Sequence, residues 1–204
     1  MIKQVNVAVL VSGGGTNLQA LIDFSADGNL ISGKLVKVIS SKADAYALKR
    51  AEAAYIDSAV VERKGKTQQE FEDGLISELE ACNAQVIVLA GFMCILSKSF
   101  TDRYKNRIIN VHPSLIPSFC GEGYYGLKVH EAALSYGVTV TGATVHFVNE
   151  IPDGGKIIMQ KAVNVKENDT PEKLQKRVME QAEWKILPLS LEKVCKMVVK
   201  GELI

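Results

Sequence analysis

Residues 5–18 of the chain have the sequence VNVAVLVSGGGTNL. Its apolar, β-branched first half predicts a buried strand over residues 5–11, because such strands read as continuous runs of Val, Ile and Leu. Residues 12–15 predict a glycine turn, and residues 17–25 predict a helix with Leu18, Leu21 and Ile22 on one face. A strand, a glycine turn and a helix in this order form a βα unit, the building block of a parallel sheet.

The rest of the chain alternates between strand and helix patterns in the same way. Further strands are predicted over residues 35–39, 60–61, 86–89, 108–112, 138–148 and 157–165, and further helices over residues 43–55, 67–81 and 128–136. A capping residue, a proline and an early acid at residues 169–172 predict a last, long helix, which Pro188 kinks or breaks. We therefore predict an α/β fold with a doubly wound, mostly parallel sheet, helices on both faces and one domain over residues 1–204.

The charged residues limit the kind of partner. Lys and Arg total 24, Asp and Glu total 23, and basic residues form no long run, so the sequence predicts neither a nucleic-acid nor a membrane partner. The acidic residues of the helix at 67–81 predict a solvated face, namely Glu70, Glu72, Asp73, Glu78 and Glu80. We therefore expect small-molecule ligands.

The cysteines and the amino terminus indicate a compartment. Cys82, Cys94, Cys120 and Cys195 lie far apart without a Cys-x-x-Cys pair, which favours reduced thiols over a disulfide framework or a zinc site. Residues 1–6 lack the apolar core of a signal peptide, and no run approaches the roughly 20 apolar residues that span a bilayer. The sequence therefore predicts a cytoplasmic protein without a metal.

The glycine loop at residues 12–16 is suited to an anion. Its backbone allows a ligand to approach closely, and the helix that follows offers free N–H groups and the positive end of its dipole. Leu18 stands where a dinucleotide fingerprint has its third glycine, no acidic residue ends the next strand, and no Gly-Lys-Ser/Thr follows the glycines. These features disfavour a nicotinamide cofactor and a nucleoside triphosphate and favour a sugar monophosphate. A tight turn that binds no ligand is the alternative.

Residues 108–117 have the sequence IINVHPSLIP and predict a strand that ends near His112. Asn110 and His112 are two residues apart, so their side chains project to the same side at the carboxyl end of the strand. Pro113 holds His112 in an extended conformation, which aims the imidazole as a proton donor. Alternatively, the two polar side chains only form hydrogen bonds with a loop.

The residues that follow supply a polar loop, a turn and two more histidines. Residues 118–126 form a glycine-rich loop that we expect to cover the site, and Asp153 lies in a turn. For His130, on a helix, and His146, on a strand, we expect a structural role supported by hydrogen bonds.

Four segments occur together in the chain: SGGGTNL at residues 12–18, AGFM at 90–93, NVHPSLIP at 110–117 and DGG at 153–155. Together they resemble the glycinamide ribonucleotide formyltransferase family, also called phosphoribosylglycinamide formyltransferases, in its bacterial single-domain type. The resemblance extends from Asn6 to about Leu191. Within it, the segment at 110–117 is specific to folate-dependent formyl transfer and hydrolysis, and the glycine loop points to the glycinamide ribonucleotide branch.

The resemblance implies transfer of a formyl group from 10-formyltetrahydrofolate, a co-substrate, to the amine of 5-phosphoribosylglycinamide in purine synthesis. It implies a catalytic triad of Asn110, His112 and Asp153, with neither a covalent nucleophile nor a metal. Protonated His112 and the amide of Asn110 would stabilise the oxyanion. A nearby carboxylate raises the pKa of an imidazole, so Asp153 would keep His112 protonated and help to relay the amine's proton through water.

The resemblance also implies binding residues. The loop of Gly15, Thr16 and Asn17 would hold the substrate phosphate, and Glu183 would lie near the ribose. The folate would contact Gln68, Asn110 and two segments, which consist of Met93, Cys94, Ile95 and Leu96 and of Asn149, Glu150, Ile151, Pro152 and Asp153.

Several positions depart from the family pattern. Gln68 and Cys94 stand where arginines are common, and Trp184 replaces the usual histidine after Glu183. We therefore expect the glutamate tail of the folate to be held differently in this chain. The loop at residues 119–125 is longer than the commonest pattern, and the helix near Glu183 carries one extra residue.

Three alternative functions share part of this pattern. A 10-formyltetrahydrofolate hydrolase has the same catalytic motif, but would resemble a longer protein with an amino-terminal regulatory domain. A methionyl-tRNA formyltransferase adds a carboxyl-terminal RNA-binding barrel and a basic surface, which this sequence lacks. A non-enzymatic sugar-phosphate binding module explains the glycine loop but leaves Asn110, His112 and Asp153 without a purpose. The sequence leaves a homodimer open.

Overall fold

The structure is a computed structural model that describes residues 4–203. Residues 1–3, half of the amino-terminal stretch expected to lack a signal peptide, lie outside the described residues. Seven strands form one sheet in the order β3-β2-β1-β4-β5-β6-β7. They are β1 (Val5–Val11), β2 (Gly33–Ser40), β3 (Asp57–Val60), β4 (Val86–Leu89), β5 (Ile108–His112), β6 (Val140–Phe147) and β7 (Ile157–Asn164).

Across the width of the sheet, the pairing of neighbouring strands changes once, from parallel to antiparallel. Strands β3, β2, β1, β4 and β5 pair in parallel, whereas β6 pairs antiparallel with both β5 and β7. The prediction of a mostly parallel α/β sheet is confirmed. The predicted strand at 60–61 is displaced, because the strand that pairs with β2 begins at Asp57 and ends at Val60.

Within residues 4–203, seven α-helices and one π-helix connect and cover the strands. They are α1 (Thr16–Ala26), α2 (Tyr46–Ala53), α3 (Gln68–Ala81), α4 (Lys98–Arg103), α5 (Leu127–Tyr136), α6 (Pro171–Val178), the π-helix (Met179–Glu183) and α7 (Trp184–Val199). Thr170 caps α6 by accepting a hydrogen bond from the Lys173 amide, with Pro171 in the first turn, as its sequence predicts.

Alternation along β1 explains why helices cover both faces of the sheet. Val7 and Val9 point to one face, where they join a core with side chains of α1, α6 and α7. Ala8 and Leu10 point to the other face and join a core formed with α3 and α4. All four of these strand residues are fully buried, so both faces of the strand must be apolar, which is why the run at 5–11 is continuous.

Of the kink or break predicted at Pro188, the break is not found, because α7 runs through Pro188 to Val199. Pro188 is buried, and the packing of α7 on the sheet compensates for the backbone hydrogen bond that proline cannot donate. The irregularity lies earlier, in the π-helix, where the Trp184 amide donates to the Met179 carbonyl five residues before it. A π turn contains one residue more than an α turn, consistent with the extra residue expected near Glu183.

Candidate active site

A cavity of about 860 Å³ opens at the carboxyl ends of β4 and β5. Ligands of doubly wound sheets bind at this edge, where loops leave the strands. The lining comes from residues 16–17, 91–95, 110–113, 121–126, 128, 130, 152–153, 175, 179 and 183. The cavity therefore brings together the glycine loop, the end of β5, the polar loop and the turn that the sequence singled out separately.

His112 is the last residue of β5 and is buried within the cavity wall. Its Nε2 donates to the carbonyl oxygen of Phe119 at 2.8 Å, and its Nδ1 lies 3.4 Å from Oδ2 of Asp153. Both ring nitrogens thus face an acceptor. A neutral ring with its proton on Nε2 satisfies Phe119 and leaves Nδ1 free to take up a proton beside Asp153.

Asp153 reaches His112 because of an unusual backbone conformation. Its φ of 56° lies in the left-handed region, which Asp adopts more readily than most residues, in the turn that follows β6. Oδ2 accepts a hydrogen bond from the Gly121 amide at 2.9 Å, so the carboxylate also fixes the polar loop. Burial alone would raise the pKa of Asp153, but the hydrogen bond with His146, the nearby His112 and the Gly121 amide lower it below its usual value.

The expected effect of Asp153 on His112 is outweighed by burial. Burial lowers the pKa of His112, and the charge of Asp153 and the bond to the Phe119 carbonyl only partly offset it. The charge of Asp153 raises the pKa of His112, as predicted, but burial lowers it by more, so the pKa of His112 lies below that of a free histidine. The burial that fixes the orientation of the His112 ring therefore also disfavours its protonated form.

His146 belongs to the site, which sequence reasoning missed. It lies directly across the antiparallel pair from Asn110, and its Nε2 is 3.3 Å from Asn110 Nδ2 and 3.4 Å from Asp153 Oδ1. Its Nδ1 donates to the Phe147 carbonyl at 2.8 Å. Nε2 can therefore accept from Asn110 when the ring is neutral and donate to Asp153 when the ring is protonated.

His130 contradicts the expectation of a structural, hydrogen-bonded histidine. It lies on α5, fully buried, and neither ring nitrogen has a hydrogen-bond partner in the described part of the chain. Burial, with a smaller contribution from His112, lowers the pKa of His130 to about 4. The ring is therefore neutral at physiological pH and sits in the wall of the cavity.

The glycine loop and the π-helix meet at one end of the cavity. Asn17 Nδ2 donates to Glu183 Oε2 at 2.8 Å, and both side chains are buried. Burial raises the pKa of Glu183 to about 7, although the Asn17 hydrogen bond opposes this. The Oδ1 atom of Asn17 has no partner within the described residues. A buried acceptor of this kind is suited to a hydroxyl or amine of a ligand.

Gly15 is required by the close packing beneath this loop. Its φ is 71°, and a Cβ there would lie 2.7 Å from Cβ of Ala47. Arg50 supports the same loop from α2, because its Nε donates to the Gly14 carbonyl at 2.9 Å. Thr16, which begins α1, and Asn17 line the cavity, whereas Gly15 holds the backbone that presents them.

The segment expected to contact the folate divides between surface and core. Met93, Cys94 and Ile95 line the cavity, and Leu96 is buried in the core beneath α3 and α4. Gln68 does not reach the cavity. Its amide nitrogen donates to the Ile95 carbonyl at 3.0 Å and so holds the segment from behind.

The prediction that Glu72 lies on a solvated face is wrong. Glu72 is only 2% exposed and accepts three hydrogen bonds, from Gln68 Nε2, the Ser97 amide and the Ser97 hydroxyl. Helical periodicity could not reveal this, because Ser97 lies far along the chain, before α4. Glu72 and Gln68 together anchor the carboxyl end of the segment that contains Met93 and Ile95.

Only part of the turn at 149–153 contributes to the cavity. Pro152 and Asp153 line it, while Ile151 is exposed beside it. Asn149 accepts a hydrogen bond from the Ile151 amide through its side chain, which shapes the turn. Glu150 is exposed and lies outside the lining.

Within residues 4–203, neither a cluster of metal-ligating side chains nor a membrane-spanning helix is present. No group of three or more His, Cys, Asp and Glu side chains there is arranged to hold a metal ion. None of the helices in this range has the length and apolar character needed to cross a bilayer.

Comparison with known proteins places the chain among related sequences. The formyl transferase family model matches residues 5–191. The phosphoribosylglycinamide formyltransferase of Haemophilus influenzae is 43% identical over 187 residues, which cover 91% of this chain and 85% of that protein. The human trifunctional purine biosynthetic protein adenosine-3 is 46% identical over 193 residues, or 94% of this chain and 18% of the human protein. The chain thus spans about a fifth of the length of the trifunctional relatives.

Solved structures show the same similarity. The crystal structure of glycinamide ribonucleotide transformylase 1 from Symbiobacterium toebii has a TM-score of 0.88 and 38% sequence identity. The match covers 98% of this chain and 90% of that one. The phosphoribosylglycinamide formyltransferase from Brucella melitensis has a TM-score of 0.86 and 39% identity, with 95% and 96% coverage.

Proposed function

This chain belongs to the formyl transferase family, and from that premise we propose that it transfers the formyl group of 10-formyltetrahydrofolate to the amine of 5-phosphoribosylglycinamide in purine synthesis. The observation that carries the proposal is the convergence of Asn110, His112 and Asp153 in a cavity that also contains the start of α1. A binding module needs the glycine loop but has no use for this group of polar side chains.

The two ends of the cavity suit the two substrates. The amides at the start of α1, presented by Gly15, Thr16 and Asn17, suit a phosphate, because a helix amino terminus attracts an anion. Glu183 and the unpartnered Oδ1 of Asn17 suit the hydroxyl groups of a ribose.

At the other end, Met93, Cys94 and Ile95 offer an apolar surface for the pterin ring. Pro152 and Asp153 face it from the opposite turn, with Ile151 and the rest of that turn at the rim. A cleft that is mostly apolar with few polar groups is typical of a site for a planar cofactor.

The chain's own donors can stabilise the charge that develops in the reaction. When the amine attacks the formyl carbon, the carbonyl oxygen becomes an alkoxide, and losing one preorganised donor to it typically costs roughly 2.7–4 kcal/mol. Nε2–H of His112 and Nδ2–H of Asn110 are the donors at this position, and at present they contact Phe119 and His146. The formyl oxygen would replace the Phe119 carbonyl at His112.

The proton then moves from the amine to the leaving nitrogen. A carbon–nitrogen bond forms to the glycinamide amine, the bond from the formyl carbon to N10 of the folate breaks, and N10 receives the proton that the amine loses. Asp153, which its lowered pKa keeps ionised, can take up this proton transiently through water and release it towards N10, or pass it to Nδ1 of His112, which faces it. No covalent intermediate with the chain is required.

The surroundings of the reaction complete the proposal. The four cysteines are free thiols, which fits a cytoplasmic location. All seven strands share one sheet, which supports a single domain. The substrates are small molecules, so neither a nucleic acid nor a membrane is needed.

The deciding experiment measures consumption of 10-formyltetrahydrofolate by absorbance, with and without phosphoribosylglycinamide. Turnover only in the presence of the amine supports the transferase. Equal turnover without it would instead show the hydrolase, in which water takes the place of the amine. His112→Ala is the matched control, because a binding module would keep its ligand affinity and have no turnover to lose, whereas the transferase loses turnover.

A further inference from the structure

The cavity contains an imbalance of charge that the proposed reaction does not account for. Among its lining residues, Glu122, Asp153 and Glu183 are acidic, and Lys128 is the one lysine or arginine in the described chain that lines it. Both histidines in the lining have lowered pKa values and are mainly neutral near pH 7. A substrate phosphate would therefore enter a cavity with a single permanent cation.

Lys128 lines the same cavity as the start of α1. It is in the first turn of α5, and Thr16 and Asn17 of α1 contribute to the same lining. Asn17 is also hydrogen-bonded to Glu183, the last residue of the π-helix. The ammonium of Lys128 and the amides at the start of α1 therefore belong to one cavity.

The ammonium group of Lys128 is free to bind an anion. Its Nζ donates to the Tyr125 hydroxyl at 3.1 Å and lies 4.6 Å from the centre of that ring. Within residues 4–203 it forms no ion pair with a carboxylate, so at least one of its three N–H donors remains available. The Tyr125 ring restrains the side chain without neutralising it.

Arg50 is a cation beside the glycine loop that lies outside the lining of the cavity. Arg50 donates to the Gly14 carbonyl through Nε and to Gln19 Oε1 through Nη1, both at 2.9 Å. It borders a second depression, which also contains Thr16 and Trp184. Arg50 therefore supports the loop and is not part of the lining that contains Lys128.

We propose that Lys128 is a substrate-binding residue that contacts the phosphate of phosphoribosylglycinamide together with the amides of Thr16 and Asn17. This inference rests on the proposed function for the identity of the substrate. Asn17 provides an independent sign of a ligand at this end, because its buried Oδ1 has no partner among the described residues. A hydrogen bond between charged groups is worth roughly 1.5–3 kcal/mol, so removing the ammonium should weaken substrate binding about tenfold or more.

The test compares Lys128→Met and Lys128→Arg with the control Lys105→Met. Lys105 is exposed in the turn after α4, at the opposite edge of the sheet, and does not line the cavity. We expect Lys128→Met to raise the KM for phosphoribosylglycinamide about tenfold or more, with kcat and the KM for 10-formyltetrahydrofolate within about twofold of the parent values. Lys128→Arg should retain most of the affinity, and Lys105→Met should change nothing.

A binding measurement separates this inference from the proposed reaction. Calorimetric titration with ribose 5-phosphate should show binding to the parent chain that Lys128→Met weakens by a similar factor, while ribose itself should not respond to the substitution. Three outcomes would overturn the inference. They are an unchanged affinity in Lys128→Met, no binding of ribose 5-phosphate to the parent, and an increase confined to the KM for 10-formyltetrahydrofolate. If ribose 5-phosphate binds as expected but no formyl transfer occurs, the proposed function fails and the phosphate contact stands.

Discussion

The carboxylate of Asp153 and the imidazole of His146 lie 3.4 Å apart, between Oδ1 and Nε2. The other oxygen of Asp153 is 3.4 Å from Nδ1 of His112, so one carboxylate lies between two imidazoles. His146 also contacts Asn110, which places it beside both proposed oxyanion donors. The triad implied by the sequence is therefore a four-residue network.

His146→Ala should lower kcat roughly tenfold, because Asp153 loses a hydrogen bond of about 1.5–3 kcal/mol to a charged group and Asn110 loses its acceptor. The KM for phosphoribosylglycinamide should change little, since His146 does not line the cavity. The pKa of Asp153 should rise, which shifts the acid limb of the pH–kcat profile upward. If His146 acts through Asp153, adding His146→Ala to Asp153→Asn should cause little further loss.

Asp153→Asn should reduce kcat far more than substrate affinity. The amide keeps the size of the carboxylate and can still accept from the Gly121 amide, but it cannot accept the amine's proton. Steady-state kinetics with each substrate varied would measure the two effects separately. Equal losses in kcat and in phosphoribosylglycinamide binding would count against a role in proton transfer.

Gln68→Ala should raise the KM for 10-formyltetrahydrofolate several-fold and leave the KM for phosphoribosylglycinamide unchanged. The Gln68 amide connects buried Glu72 to the Ile95 carbonyl, so its loss frees the apolar segment that we assign to the pterin. Gln69→Ala is the matched control on the next residue of α3, where the side chain donates a hydrogen bond to Asp73 of the same helix. Similar effects of the two substitutions would contradict this assignment.

His130→Leu should make the free energy of unfolding less sensitive to acid. The folded chain holds His130 neutral down to about pH 4, whereas the unfolded chain protonates it near its ordinary pKa of 6.5. The unfolded state thus binds more protons between these values, and stability falls as the pH drops through them. In urea unfolding, the free energy of unfolding of the parent should fall between about pH 8 and about pH 5 by about 2 kcal/mol more than that of His130→Leu. An unchanged pH dependence would show that burial does not lower the pKa of His130.

Glu183→Gln should have the opposite effect on the pH dependence. Glu183 titrates near pH 7 when folded and near 4.5 when unfolded, so the folded chain binds the extra proton between these values. Stability from this group is therefore lost as the pH rises from about 4.5 to about 7. In the same urea experiment, the parent should lose about 2 kcal/mol of unfolding free energy through Glu183 between about pH 5 and about pH 8. Glu183→Gln should remove this loss. A change of the same sign in the His130→Leu and Glu183→Gln variants would contradict one of the two assignments, because their expected signs differ.

Local sequence was sufficient for most of the elements. Strands β1, β4 and β5 coincide with their predicted ranges, because a strand buried on both faces must be apolar at every position. The pattern failed where a residue's environment is made by distant parts of the chain. The position of Glu72 in its helix predicts a solvated side chain, but Glu72 is buried and accepts hydrogen bonds from Ser97.

The sequence by itself determined the α/β class, the glycine loop before α1 and the side-by-side placement of Asn110 and His112, because these follow from strand alternation and turn chemistry within a few residues. Only the tertiary structure decided that His146 lies opposite Asn110, since this depends on an antiparallel register that pairs residues 36 positions apart in the chain. It also decided the charge of His112 and His130, because desolvation is set by everything that packs around a group and not by its neighbours along the chain.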